Sequence, residues 1–190
     1  MKTLLSILLA LFIFALPTIS VLAEDSTSTG VTRREAVQQK IATRAAALKL
    51  KLQAFRDQNK AKRVEKINET LAMINKKRTD HFVKFLDNAQ RISNKLEDRV
   101  NEAEASGKDT TVAKAAIADA KTAIQAAKAA VLDQADNDYT IEVSSEKTVR
   151  EDAKAARDSL RNDLGNLRKQ VVEAKQAVAK AIQVAATTLK

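Results

Sequence analysis

From Lys60 to Ala105 the apolar side chains recur at three- and four-residue steps through Val64, Ile67, Leu71, Ile74, Phe82, Phe85, Ala89, Ile92, Leu96, Val100 and Ala103, with no proline or glycine between them. Residues three and four apart share one face of a helix, so this stretch predicts a long amphipathic helix needing partner helices along its whole length. Upstream, Val37, Ile41, Ala45, Leu48, Leu52 and Phe55 form a second stripe, and Thr32 with Glu35 makes a capping box for a helix over 32–58. Asp57-Gln58-Asn59 is the one candidate interruption between the two. Without glycine or proline there, the pattern favours a continuous or kinked helix over a hairpin.

Ser106-Gly107-Lys108-Asp109 predicts a clear break, with Gly107 in the left-handed position that closes a helix and Asp109 capping the next. From Thr110 to about Ala135 the buried side is nearly all alanine around Ile117, Ile124 and Val131, seven residues apart, a seam suited to close left-handed coiled packing. Tyr139, Ile141 and Val143 then alternate with Thr140 and Glu142, a period of two that predicts an extended segment near 138–144 with one apolar face. A last helix follows to about Thr188, through Leu160, Leu164, Leu167, Val171, Ala174, Val178, Ala181 and Ala185. Gly165 weakens it only locally, by ~1 kcal/mol.

Lengths predict how these pieces combine. At ~1.5 Å per helical residue the central and last helices span roughly 68 Å and about 65 Å. The alanine helix covers ~39 Å, and an extended segment at ~3.3 Å per residue adds about 30 Å. The expected fold is all-α: an elongated antiparallel bundle of three long, coiled-coil-like rods, the third made of the alanine helix and the extended segment together. With Tyr139, Ile141 and Val143 exposed, that layout would fail.

The first 23 residues differ from the rest. Lys2, an apolar run from Leu4 to Ala15 broken only by Ser6, Pro17, and Val21-Leu22-Ala23 before Glu24 have the order of a secretory signal peptide cut after Ala23. The run is short for a membrane span, and no later segment is apolar enough to be one. Residues 24–31 read as a polar, mobile leader, and 59–190 as the bundle domain. Cleavage removes one basic residue and no acid, leaving the net charge one below the +9 of the whole chain. Cysteine is absent, so an exported protein of this kind relies on packing rather than disulfides, which suits a bacterial envelope. Aromatic residues make up 3% of the chain, in keeping with long helices.

Chemistry is sparse. His81 is the sole histidine, placed by its spacing beside Phe82 and Phe85 as a partly buried packing residue. No glycine loop can cradle a phosphate, and the serines lack nucleophile elbows. Asp136-Asn137-Asp138-Tyr139-Thr140 has the Asp-x-Asp-x-Thr spelling of a phosphatase motif, but it follows a helix rather than a buried parallel strand. With Asp133 and Glu142 the same carboxylates make a weak calcium candidate that lacks the EF-hand glycine. Asn68-Glu69-Thr70 fits the N-glycosylation pattern. Two surfaces are candidates for contact: the basic run Lys76, Lys77, Arg78, and the stripe Val37, Ile41, Leu48, Leu52, Phe55, which has no partner if the first helix runs straight on and is ordinary core if it folds back.

At Lys62-Arg63-Val64-Glu65-Lys66-Ile67-Asn68, Asp138-Tyr139-Thr140-Ile141-Glu142-Val143 and Arg161-Asn162-Asp163-Leu164 the chain resembles exported helical proteins of ultra-small candidate-phyla bacteria. The resemblance implies a bacterial envelope or extracellular location and brings no activity with it. Size, export signal and basic charge are also similar to periplasmic holdase chaperones, although this chain lacks the N-terminal strand of their trimeric barrel. The expected function is that of an exported, non-enzymatic scaffold or interaction protein in the periplasm, at the cell surface or outside the cell. It needs no cofactor or metal, and it self-associates or contacts an envelope protein through its first helix, with weak attraction to anionic envelope polymers and little to nucleic acid. A holdase-type chaperone with cationic helices and a weak calcium-binding or anionic-polymer-binding module are the alternatives.

Overall fold

The computed structural model describes residues 26–190, with side chains from Glu35 onward. The signal peptide and the first two leader residues lie outside the described residues. Four helices, α1 (Ser26–Gln53), α2 (Gln58–Ala105), α3 (Thr111–Ala135) and α4 (Val149–Thr188), and no strand occur among them. The fold is an all-α bundle. No described helix is long and apolar enough to cross a membrane. α1 begins at Ser26 rather than Thr32, because nothing in Ser-Thr-Ser-Thr-Gly-Val forbids the helix and a lone glycine costs it only ~1 kcal/mol.

α2 and α3 join through Gly107, whose φ of 86° is the left-handed turn that the sequence predicts. The Gly107 and Lys108 amides return to the carbonyls of Glu104 and Ala103, at 2.8 and 3.1 Å, and satisfy the last turn of α2. Asp109 stands one residue outside the N-cap, Thr110, and accepts the Thr111 amide at 3.0 Å.

α1 and α2 are two helices, not one. The chain leaves the helix at Ala54, and the Asp57 carboxylate accepts the Asn59 and Lys60 amides, each at 3.0 Å, to start α2. Glu146, far along the chain, accepts the backbone amides of Arg56 and Asp57 at 2.9 and 3.1 Å. A tertiary contact thus stabilises a turn that contains neither glycine nor proline, and α1 folds back along α2 with Lys49 3.5 Å from Glu65.

The interior has two apolar clusters. One is built from the second halves of α2 and α4 with all of α3, around Leu86, Val100, Ile117, Ile124, Val131 and Ala174. The other joins Leu48, Leu52 and Phe55 of the α1 end to Val64 and Leu71 of α2, Tyr139, Ile141 and Val143 of the extended segment, and Leu160 of α4. Tyr139, Ile141 and Val143 are 8%, 2% and 6% exposed, so the alternating segment is core, as the period of two requires. Buried positions step by four twice in succession at Leu71–Asn75–Thr79 on α2, and the inward positions Ala156–Leu160–Leu164 do the same on α4. Each four-residue step overshoots a full turn by ~40°, so such a double step carries the inward face round the helix by about 80°. Both shifts fall where α3 ends and the extended segment takes over, so each helix changes which flank it presents as its neighbour changes. Ile67, Ile74 and Ile92 sit on the flank of this inward face and are 39%, 37% and 44% exposed.

Candidate functional site

Between the two clusters lies a polar node. Asn75 and Gln134 continue the three- and four-residue steps of α2 and α3 into core positions, where they are 4% and 6% exposed. Asn75 Nδ2 donates to the Gln134 carbonyl at 3.0 Å, and Gln134 Nε2 donates to Asn75 Oδ1 at 2.9 Å. Gln134 Nε2 also donates to the Tyr139 hydroxyl at 2.7 Å, which in turn donates to Asp163 Oδ2 of α4 at 2.8 Å. Thr79 Oγ1 donates back to the Asn75 carbonyl at 2.9 Å. α2, α3, the extended segment and α4 therefore meet in one closed network. Burial of the phenol, reinforced by its bond to the Asp163 carboxylate, pushes the Tyr139 pKa up to about 12. Tyr139 stays neutral through the physiological range.

A second set of contacts ties α1 to the extended segment. Arg44 stands 2.7 Å from Asp138 Oδ2 and pairs also with Glu142. Asp138 Oδ2 is buried, and its contact with Arg44 is ionic rather than a well-aligned hydrogen bond. Asp138 Oδ1 accepts the Thr140 amide at 2.8 Å and its hydroxyl at 2.6 Å. Asn68 Oδ1 accepts the Ile141 amide at 2.9 Å, and Lys51 Nζ donates to the Val143 carbonyl at 3.2 Å. A groove of about 710 Å³ runs beside these groups, bounded by Ile41 and Ala45 of α1, Ala72 and Val83 of α2, Leu132 of α3 and Thr140.

The residues singled out by the sequence are distributed as follows. Leu48, Leu52 and Phe55 are 5%, 4% and 8% exposed and packed within the chain, so they are not a free docking surface; the straight first helix is corrected to a folded-back one by the Glu146 clamp. Ile41 is half-buried at the groove, and Val37 is half-buried one turn earlier. Lys76, Lys77 and Arg78 are exposed, and Lys76 is paired with Asp80 at 2.8 Å. His81 is exposed, not partly buried, and meets Phe82 edge-on with ring centroids 6.0 Å apart, because the four-residue double step turns it outward. The calcium candidates do not converge: Asp138 and Glu142 share Arg44, and among the described residues no three His, Cys, Asp or Glu side chains stand together to hold a metal. Asn68, in the glycosylation pattern, is occupied by the Ile141 amide.

Asn75, Gln134, Asp163, Arg44 and Glu146 were not candidates on sequence. For Asn75 and Gln134 the signal was present, a polar residue at a core position of the helical pattern; for the rest, whose contacts bridge 24 to 98 residues, there was none. Comparison with family models, with curated proteins and with solved structures finds no match.

Proposed function

We propose that the chain is an exported, non-enzymatic helical scaffold or interaction protein of the cell envelope. The observation that carries this reading is the closure of the polar node. Its amides, phenol and carboxylate are spent on one another, which makes them a device for fixing helix register rather than a site awaiting a substrate. The export signal and the resemblance to exported bacterial helical proteins support the location. Partners would contact the basic run at Lys76, Lys77 and Arg78, and the half of α1 around Val37 and Ile41 that lies before the buried Leu48.

The test is fractionation of a bacterial host expressing the whole chain, with the intact mass of the recovered protein. A product beginning at Glu24 in the envelope or medium is expected. A product that keeps Met1 and stays in the cytosol would contradict the reading.

A holdase-type chaperone is the second reading, favoured by the groove of about 710 Å³ with aliphatic walls at Ile41, Ala72 and Val83. It requires suppression of aggregation of a chemically unfolded client by the purified chain. Unchanged aggregation removes it.

A further inference from the structure

The two flanks of α2 differ in charge. On the flank turned to α3, Asp87, Glu97 and Glu104 are paired with Lys128, Lys121 and Lys114. The opposite flank carries Arg63, Arg78 and Arg99 with Ile67, Ile74 and Ile92 between them, and no acidic residue lies on that line. α2 also packs on α4; with α3 on the first flank, the second is the one left to the α4 side.

α4 is divided in the same way. Asp152 and Asp163 are bonded to Ser144 and Tyr139 of the extended segment, which fixes the flank of α4 turned to that side. Two residues from Asp163, and therefore on the opposite flank, is Arg161. Lys154, Arg161, Arg168 and Lys175 repeat there every seven residues, all exposed, with the apolar Ile182 continuing the line. Their span is about 32 Å, with one cation every ~10.5 Å. Among the described residues none of these α2 and α4 cations stands in an ion pair.

We propose that the furrow between α2 and α4 is a binding track for a linear polyphosphate, a polyanion whose phosphates carry no bases. This rests on the reading of the chain as an envelope interaction protein and names what one face of it holds. Two parallel rows of unpaired cations, mostly arginine, over a partly covered aliphatic floor give a long positive field with forked donors suited to phosphate oxygens. A flat anionic bilayer fits less well, because the isoleucines between the cations are only 37–44% exposed and offer little apolar surface to enter lipid. A nucleic acid fits less well because the track offers no row of aromatic side chains on which bases stack.

The probe is fluorescently labelled inorganic polyphosphate, titrated with the exported chain over a range of salt concentrations. The variants are R161Q/R168Q on the track, R78Q/R99Q on the facing helix, and K169Q/K180Q, which removes the same charge from the solvent side of α4. Affinity is expected to fall at least tenfold in each track variant, with the logarithmic salt slope shallower by about one and a half, and to fall less than twofold in K169Q/K180Q. Equal losses in all three variants would overturn the track, since net charge alone would then explain binding. Tighter binding to phosphatidylglycerol vesicles or to single-stranded DNA than to polyphosphate, lost in the same variants, would overturn the choice of ligand. Absence of any binding by a chain that still fractionates with the envelope would remove this inference and leave the scaffold reading intact.

Discussion

Tyr139 is the only tyrosine in the chain, so its ionisation can be followed directly by the near-ultraviolet absorbance of the phenolate. A titration midpoint near 12 is expected in the folded protein instead of the usual value of about 10. Because the folded-state pKa is raised, the stability it represents is present below pH ~10 and is lost as pH climbs towards 12. An ordinary midpoint would mean that the phenol is not held in the node. Asn75→Ala removes an acceptor of Gln134 Nε2 and the donor to the Gln134 carbonyl, leaving buried groups short of partners; a loss of about 2 kcal/mol in urea unfolding is expected. Ser93 is the opposite case. Its hydroxyl is fully buried without a hydrogen-bond partner, so Ser93→Ala is expected to stabilise the protein by about 1 kcal/mol.

At the scale of elements, the four helices and the buried alternating segment were legible because periodicity reports directly which side of an element is apolar. Ile117, Ile124 and Val131 are 1%, 0% and 0% exposed, as their seven-residue spacing requires. Less legible was anything set by contacts between distant residues. The turn before α2 has no glycine or proline, and it is stabilised by Glu146, which receives the amides of Arg56 and Asp57 from far along the chain. The outward position of His81 follows from a register shift imposed by the end of α3, which no window of α2 alone records. The Glu146 carboxyl is held below its usual pKa by the Arg56 and then the Asp57 amide. A depressed pKa means that the contribution is present above the usual carboxylate range and lost as pH falls through the folded value. Acidification is therefore expected to free the α1–α2 turn, and Glu146→Gln to raise amide exchange there at neutral pH while leaving α3 protected.

At the scale of the whole molecule, α3 and the extended segment divide the interior between them. Where α3 is present, alanine lets the helix backbones come close around Ile124 and Val131. Past its end, α1 folds over the extended segment and seals a second core that α2, α4 and the segment would leave open. Leu48→Ala with Leu52→Ala is expected to cost about 2–5 kcal/mol per site and to release α1, since among the described residues that helix packs on no other helix but α2. The surface follows the same division among the described residues: acids and bases are paired along the α2–α3 side, and the cations named above are left without ion pairs along the α2–α4 side. The most direct measurement uses the absence of native cysteine, which allows spin labels at Gln39→Cys and Lys77→Cys, both exposed, with no other site modified. With α1 folded back on α2, a pulsed dipolar distance below roughly 30 Å is expected, from an interaxial separation of 8–10 Å plus the label arms. A distance near 57 Å, the length of helix between those residues at ~1.5 Å each, would mean a single straight helix and no second core.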